Sequence, residues 1–180
     1  MEPRQLAPYT GFTEEEVKVL CNRYGRDFNR VKNWYDGYLV SGIIPPEKRE
    51  AYREGKYDGH RYSIYNPFSV VESMKTGQII NYWNKTEIYE ALAEYIRKDY
   101  DGLKEAVTLL MDGGRIVIDP STYQNDMTTF ACRDDVLSLL IHLGYLGFDD
   151  ESSEVFIPNR QILDEFRTAT RSKESGIQAS

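Results

Sequence analysis

Residues 134–159 read DDVLSLLIHLGYLGFDDESSEVFIPN. The stretch opens on Asp134 and Asp135, acids of the kind that complement a helix N-terminus. Val136, Leu137, Leu139, Leu140, Ile141 and Leu143 then make the helix apolar nearly all round, which places it in the middle of a core. Gly144 ends it. Residues 145–148 and 155–157 are short apolar runs flanking Asp149-Asp150-Glu151-Ser152-Ser153, the pattern of a β-hairpin. Asn159 caps a last helix carrying Ile162, Leu163 and Phe166.

Upstream, Thr86 caps a helix with Ile88, Leu92, Tyr95 and Ile96 at helical spacing, while Glu87, Glu90, Glu94, Arg97 and Lys98 fill the other face. Asp101 opens the next helix, with Leu103, Ala106, Val107, Leu110 and Met111 inward, and Gly113-Gly114 ends it. Arg115-Ile116-Val117-Ile118 reads as a short strand and residues 119–130 as a polar loop. Helix, isolated strand, helix and hairpin resemble a winged-helix arrangement. In such a unit the helix before the hairpin would read a DNA groove. Here that helix carries Asp134 and Asp135 with only Arg133 nearby, and the hairpin tip carries Asp149, Asp150 and Glu151. Phosphates repel both, so a winged helix that packs on protein is the expectation.

The N-terminal half is helical by its punctuation. Residues 1–10 are a lead-in without pattern. Thr13 and Glu16 form a capping box, and Phe12 and Val17 stand at the hydrophobic-staple positions. Val17, Leu20, Cys21 and Tyr24 form the apolar stripe of a helix ended by Gly25, which makes Cys21 a core thiol. Asp27 caps a second helix with Phe28, Val31, Trp34 and Tyr35 on one face, running into the turn signal Asp36-Gly37. Residues 41–62 read as an exposed excursion holding a short helix. Asn66-Pro67 starts another helix, with Phe68, Val70, Val71 and Met74, stopping at Gly77. The expected fold is mainly α, with about seven helices, one isolated strand and one hairpin. A helical lid-like bundle spans 11–100, a winged-helix-like unit 101–168, and a flexible tail 169–180.

Composition narrows the function. The chain has 180 residues with 22 Lys+Arg against 29 Asp+Glu, a formal charge of −7. A phosphate-backbone binder shows the opposite balance, so direct nucleic-acid contact is disfavoured. No apolar run approaches membrane-spanning length and none follows the N-terminus as in a signal peptide, so a cytoplasmic protein is expected. Two Cys without a CxxC pair, and two His, are too few for a zinc site unless carboxylates fill in. There is no GxxxxGK phosphate loop, no GxGxxG, no GxSxG and no HExxH. Glu16-Val17-Lys18 matches the acidic-x-Lys element of metal-dependent nucleases, but Glu16 is already used in the capping box. His142 sits on the most apolar helix and reads as a hydrogen-bonded core or near-core histidine; His60 reads as solvated. The aromatic cluster Trp34-Tyr35-Asp36-Gly37-Tyr38 with Tyr65-Asn66-Pro67-Phe68 reads either as a core corner or as a platform for a ligand or a neighbouring domain.

The ordered set GFTEEEV (11–17), WYDGY (34–38), YNPFSV (65–70), Tyr82-Trp83 with Asn84 and Thr86, LGYL (143–146) and IPN (157–159) resembles one family. It is the AAA-ATPase-like family of bacterial proteins whose chains usually end in a PD-(D/E)XK nuclease-like domain. The resemblance covers roughly residues 10–168, and the chain is longer than the pattern between Tyr38 and Tyr65. It implies a modular parent with an ATPase core, then a helical lid and winged-helix-like segment, then a nuclease-like fold. Only the middle segment has a counterpart here, so ATP and Mg²⁺ are implied for the parent alone. No catalytic, cofactor-binding or metal residue carries over. The implied partners are the parent's own ATPase core and nuclease-like domain, with no membrane. The expected interdomain surface is Trp34, Tyr35, Asp36, Tyr38, Tyr65 and Asn66, exposed where a core would dock. The alternative is a free-standing winged-helix nucleic-acid-binding regulator, with Arg23, Arg26, Arg30 and Lys32 supplying part of a basic face. A third is a small-molecule pocket at the aromatic corner, which full burial of the Tyr rings would remove.

Overall fold

Thr13 and Glu16 set the first helix. Thr13 Oγ1 accepts from Glu16 N at 3.4 Å and Glu16 Oε2 accepts from Thr13 N at 2.9 Å, closing the capping box of α1 (Glu14–Tyr24). The computed structural model describes residues 11–42, 45–56, 61–83, 87–119 and 130–171. The expected lead-in, His60, the cap Thr86, the side chain of Ile88, the loop 120–129 and residues 172–180 lie outside them. The chain divides into two compact units, Met1–Tyr82 and Trp83–Ser180.

In the first unit, α1 buries Val17 and Cys21, while Tyr24 is 48% exposed. The expected stripe is therefore narrower, because Tyr24 sits in the last turn. Asp27 Oδ1 accepts from Arg30 N at 3.1 Å and caps α2 (Phe28–Tyr35), which buries Val31 and Tyr35. Asn66 Oδ1 accepts from Ser69 N at 3.1 Å and caps α4 (Pro67–Thr76), which buries Ser69, Val70, Ser73 and Met74. Phe68, expected inward, stays 55% exposed in the first turn.

Between α2 and α4 the structure corrects the expectation. Strands β1 (Tyr38–Ser41) and β2 (Arg61–Ile64) pair antiparallel, from Tyr38 opposite Ile64 to Ser41 opposite Arg61. The excursion is the connection of this ribbon, and α3 (Arg49–Arg53) is its short helix, entered by a 3₁₀ turn at Pro46–Lys48. The ribbon escaped sequence reading because β1 is half-buried at all four positions, so it carries no period-two alternation. Phe12 pairs with Tyr65 beyond β2. Around these elements Val17, Cys21, Val31, Tyr35, Tyr65, Val70, Met74 and Ile79 form one core.

The second unit holds α5 (Glu87–Arg97), α6 (Leu103–Met111), β3 (Ile116–Val117), α7 (Arg133–His142), β4 (Gly147–Asp149), β5 (Glu154–Phe156) and α8 (Arg160–Arg171). The hairpin β4–β5 is as expected, and β3 joins it to give an antiparallel sheet of order β3-β5-β4. Six successive α7 residues, Asp135, Val136, Leu137, Ser138, Leu139 and Leu140, are buried. Leu92, Ala93 and Ile96 of α5 share that core, which is why the division falls at Tyr82 rather than after residue 100.

Three local expectations change here. Asp99 (φ +53) and Asp101 (φ +48) both adopt left-handed backbone. Asp99 Oδ1 accepts from Lys104 N at 2.9 Å and serves α6, whereas Asp101 Oδ2 accepts from Arg133 N at 2.8 Å and caps α7. His142 is exposed, because it follows the buried run at the end of α7. The last helix continues through Arg171, with Ile162, Phe166 and Ala169 inward and Asn159 Oδ1 accepting from Ile162 N at 3.1 Å. Among the described residues the fold is mainly α, and no helix is long and apolar enough to cross a membrane.

Two glycines separate strain from crowding. Gly25 (φ +62) and Gly77 (φ +77) both end helices in left-handed backbone. A Cβ at Gly25 would meet nothing within 4 Å, while one at Gly77 would meet the Arg26 guanidinium at 3.1 Å. That guanidinium donates to Met74 O at 2.9 Å. Gly25→Ala is expected to cost about 1 kcal/mol from backbone strain alone. Gly77→Ala should cost more, about 2 kcal/mol, because Arg26 must also move. Urea titration of the two variants checks the order; equal losses would mean Arg26 yields freely.

Candidate functional site at the aromatic corner

The corner is built where α2 meets the ribbon. Asp36 leaves the helix in extended backbone, and its N–H donates to Lys32 O at 3.1 Å. Gly37 follows at φ +121, a conformation that favours glycine, and turns the chain into β1. Asp36 Oδ1 accepts from Gly37 N at 2.8 Å and from Ser63 Oγ at 2.5 Å, tying the end of α2 to β2. Asn66 N donates to Tyr35 O at 3.1 Å, so the last residue of α2 also holds the cap of α4.

Tyr35 reaches further. Its hydroxyl donates to Ile80 O at 2.8 Å and accepts from Ile80 N at 3.1 Å. The Tyr82 ring lies 6.4 Å from the Tyr35 ring, tilted by 47°. The Tyr82 hydroxyl donates to Gln78 O at 2.9 Å and shares a short hydrogen bond with Thr76 Oγ1. Residues 76–82 are thereby strapped to the core of the first unit.

The six residues expected at an exposed surface divide into two groups. Tyr35 and Tyr65 are completely buried, whereas Trp34, Asp36, Tyr38 and Asn66 are half-buried. Two of the four aromatics expected in an exposed patch are therefore core. Their packing against Val17, Cys21, Val31 and Val70 withdraws both rings from any ligand, which removes the pocket reading at those rings. Asp36 and Asn66 are occupied with turn and cap bonds. Ser63 and Ile80 were not legible as corner residues: a serine in a short strand and the backbone of an isoleucine carry no sequence signal.

Burial pushes the Tyr35 hydroxyl far above the ordinary tyrosine range, against a smaller lowering by its bond to Ile80. Burial also raises Tyr65, and the Asp36 carboxylate adds to it. The buried Tyr65 hydroxyl lies near the Asp36 carboxylate, without a hydrogen bond of ordinary geometry among the described residues.

Of the basic residues expected to share a face, Arg23 and Arg30 are exposed, while Arg26 and Lys32 have acceptors within the unit. Arg26 is half-buried on Met74 O, and Lys32 and Lys18 each lie 2.5 Å from Glu14. Hydrogen bonds from Lys18 and then Lys32 hold the Glu14 carboxyl below its usual range, and the bond to Glu14 raises Lys32. In the second unit an open groove of about 470 Å³ on α6 is lined by Asp99, Lys104, Glu105, Thr108, Leu109 and Asp112. Among the described residues its lining includes no His, Cys or Ser. Among the described residues no group of three or more His, Cys, Asp and Glu could hold a metal ion.

Comparison with protein-family models, with curated proteins and with solved structures finds no match.

The buried hydroxyls give the first unit an alkaline limit. Above pH about 10 an unfolded tyrosine ionises, while Tyr35 and Tyr65 keep their protons in the fold. The folded state then binds more protons, so stability is full below pH about 10 and falls as pH rises. The slope is up to about 1.4 kcal/mol per pH unit for each group. Denaturant titrations at rising pH should show this slope, and Tyr35→Phe should reduce it. Tyr65→Phe should also reduce it. An unchanged alkaline slope in both variants would place the limit elsewhere.

Proposed function

We propose that the chain is the non-catalytic lid and winged-helix-like segment of an AAA-ATPase-like protein, coupling an ATPase core to a nuclease-like domain. The observation that carries this reading is the burial of α7. A winged helix that reads DNA keeps one face of this helix open to the groove. Here six successive residues of α7 are inside the unit. The sheet order β3-β5-β4, with α7 between β3 and the hairpin, suits a winged-helix-like unit that is a packing module.

The charges support the same choice. Arg133 is 3.0 Å from Asp134, and Arg115 is 3.3 Å from Asp149 and 3.5 Å from Glu154. Arg133 and Arg115 are thus paired with acids of the same unit. Asp149 itself accepts from Glu151 N at 3.1 Å and Ser152 N at 3.4 Å and shapes the hairpin turn, while Asp150 and Glu151 face solvent. A phosphate backbone would meet negative charge there. The half-buried aromatics Trp34 and Tyr38 are the residues we assign to interdomain docking.

The test begins with the coding sequence on both sides of this segment. An upstream frame with a phosphate loop and a downstream frame with nuclease acids are expected. ATP turnover of the joined protein should change when Trp34 and Tyr38 are replaced by alanine. Stop codons on both sides, or turnover indifferent to the segment, would overturn the reading. The 180 residues alone should show no ATP hydrolysis and no DNA cleavage. They should also give no gel shift with duplex DNA at low salt; a salt-dependent shift would favour the regulator instead.

A further inference from the structure

Two helices of the second unit carry opposite charge at the same spacing. On α6, Glu105 and the C-cap residue Asp112 stand seven positions apart, with Leu109 between them on the same face. These three line the open groove together with Asp99, Lys104 and Thr108, so its acids outnumber its lysine three to one. Leu109 is 48% exposed. It is held in place by the turn that follows the helix: its carbonyl accepts from Gly114 N at 2.9 Å, and a Cβ at Gly114 would come within 2.8 Å of Leu109 Cγ.

On α8, Gln161, Ile162, Glu165, Phe166 and Ala169 are buried and define the inner face. Arg160, Arg167 and Arg171 lie on the outer face and are exposed, with Leu163 and Asp164 half-buried beside them. Arg160 and Arg167 are again seven positions apart, and seven helical residues rise about 10.5 Å. Arg167 lies 3.8 Å from Asp164, an exposed pair that exchanges partners at little cost.

We propose that the α6 groove is a docking surface for α8 of a second copy of this chain. The two helices run antiparallel. Glu105 then meets Arg167, and Asp112 meets Arg160. Leu109 meets Leu163, and Asp164 comes opposite Thr108, one turn from Lys104, so the minority charges also meet. Arg171 extends past Glu105 toward the end of the groove that Asp99 lines. A parallel register would match the same outer charges, but it sets Leu109 against the Asp164 carboxylate and desolvates a charge without a partner. Each copy carries both surfaces, so this one contact suffices for self-association. It involves the second unit of each copy alone and does not depend on the lid reading.

Sedimentation of the full 180-residue chain reads the contact. Concentration-dependent self-association is expected at low salt, weakening at about 0.5 M salt as exposed charges are screened. Glu105→Lys with Asp112→Lys makes the groove basic, and Arg160→Glu with Arg167→Glu makes the α8 face acidic. Each altered protein alone should associate at least about tenfold more weakly than the original chain, because like charges then face each other. Their equimolar mixture should associate again, since each reversed surface meets its complement on the other protein. Restoration would also show that both variants fold. If a reversed variant loses its helical circular dichroism, Glu105→Gln with Asp112→Asn replaces it, and association left unchanged by that pair would overturn the proposal. A monomer at low salt up to about 1 mM protein would also overturn it, leaving the groove to a basic segment of another protein. So would association that salt does not weaken, folded charge-reversed variants that associate alone, or a mixture of them that stays monomeric.

Discussion

The burial of Tyr35 is the constraint on which the first unit depends. Its ring sits in the core with Val17, Cys21, Val31 and Val70, its carbonyl holds Asn66 N, and its hydroxyl holds both polar groups of the Ile80 backbone. One residue therefore ties together the end of α2, the start of α4 and the segment that leaves the unit. A fully buried hydroxyl is tolerated because it exchanges water for two backbone bonds. Next to it, Asp36 closes the ribbon onto α2 through Ser63. The aromatic density of the corner is the cost of assembling three chain segments around a small core, with tyrosine supplying both area and a polar tip.

The second unit is organised around α7 in the same spirit. A helix buried on most sides must have its N-terminal N–H groups satisfied by its own surroundings, since water reaches them poorly. Asp101 supplies an acceptor from the preceding segment and Asp135 folds back onto Ala131 N and Cys132 N. The acids that made this helix look hostile to DNA are thus partly structural.

Much of the fold was legible because helices announce themselves locally. Thr13 with Glu16, Asp27, Asn66-Pro67 and Asn159 marked helix starts, and Gly25 and Gly77 marked ends, since a cap is a contact between residues three or four apart. The β4–β5 hairpin was legible for the same reason. The β1–β2 ribbon was not, because its strands are four residues long, neither alternates between buried and exposed positions, and they are joined across a long connection. Asp101 was assigned to the wrong helix, because nothing in the spacing says that its carboxylate reaches Arg133, thirty-two residues away. The corner residues Trp34, Tyr35, Tyr38 and Tyr65 were found by composition, but which of them face inward was not readable there.

The sequence by itself determined the helical class, the caps, the hairpin and the absence of familiar phosphate-loop and metalloprotease motifs, all of which are local patterns of residue type. The tertiary structure decided which aromatics are core, which carboxylate caps which helix, where the chain divides, and that Tyr82 and Trp83 belong to different units. The physical reason is range. Caps and turns are settled within a few residues by backbone hydrogen bonding, whereas burial depends on which distant segments exclude water from a side chain. Tyr35 and Tyr38 lie three residues apart in one motif, yet one is wholly inside and the other half-exposed, because only the first is covered by Tyr82 and Ile80 from the far end of the unit.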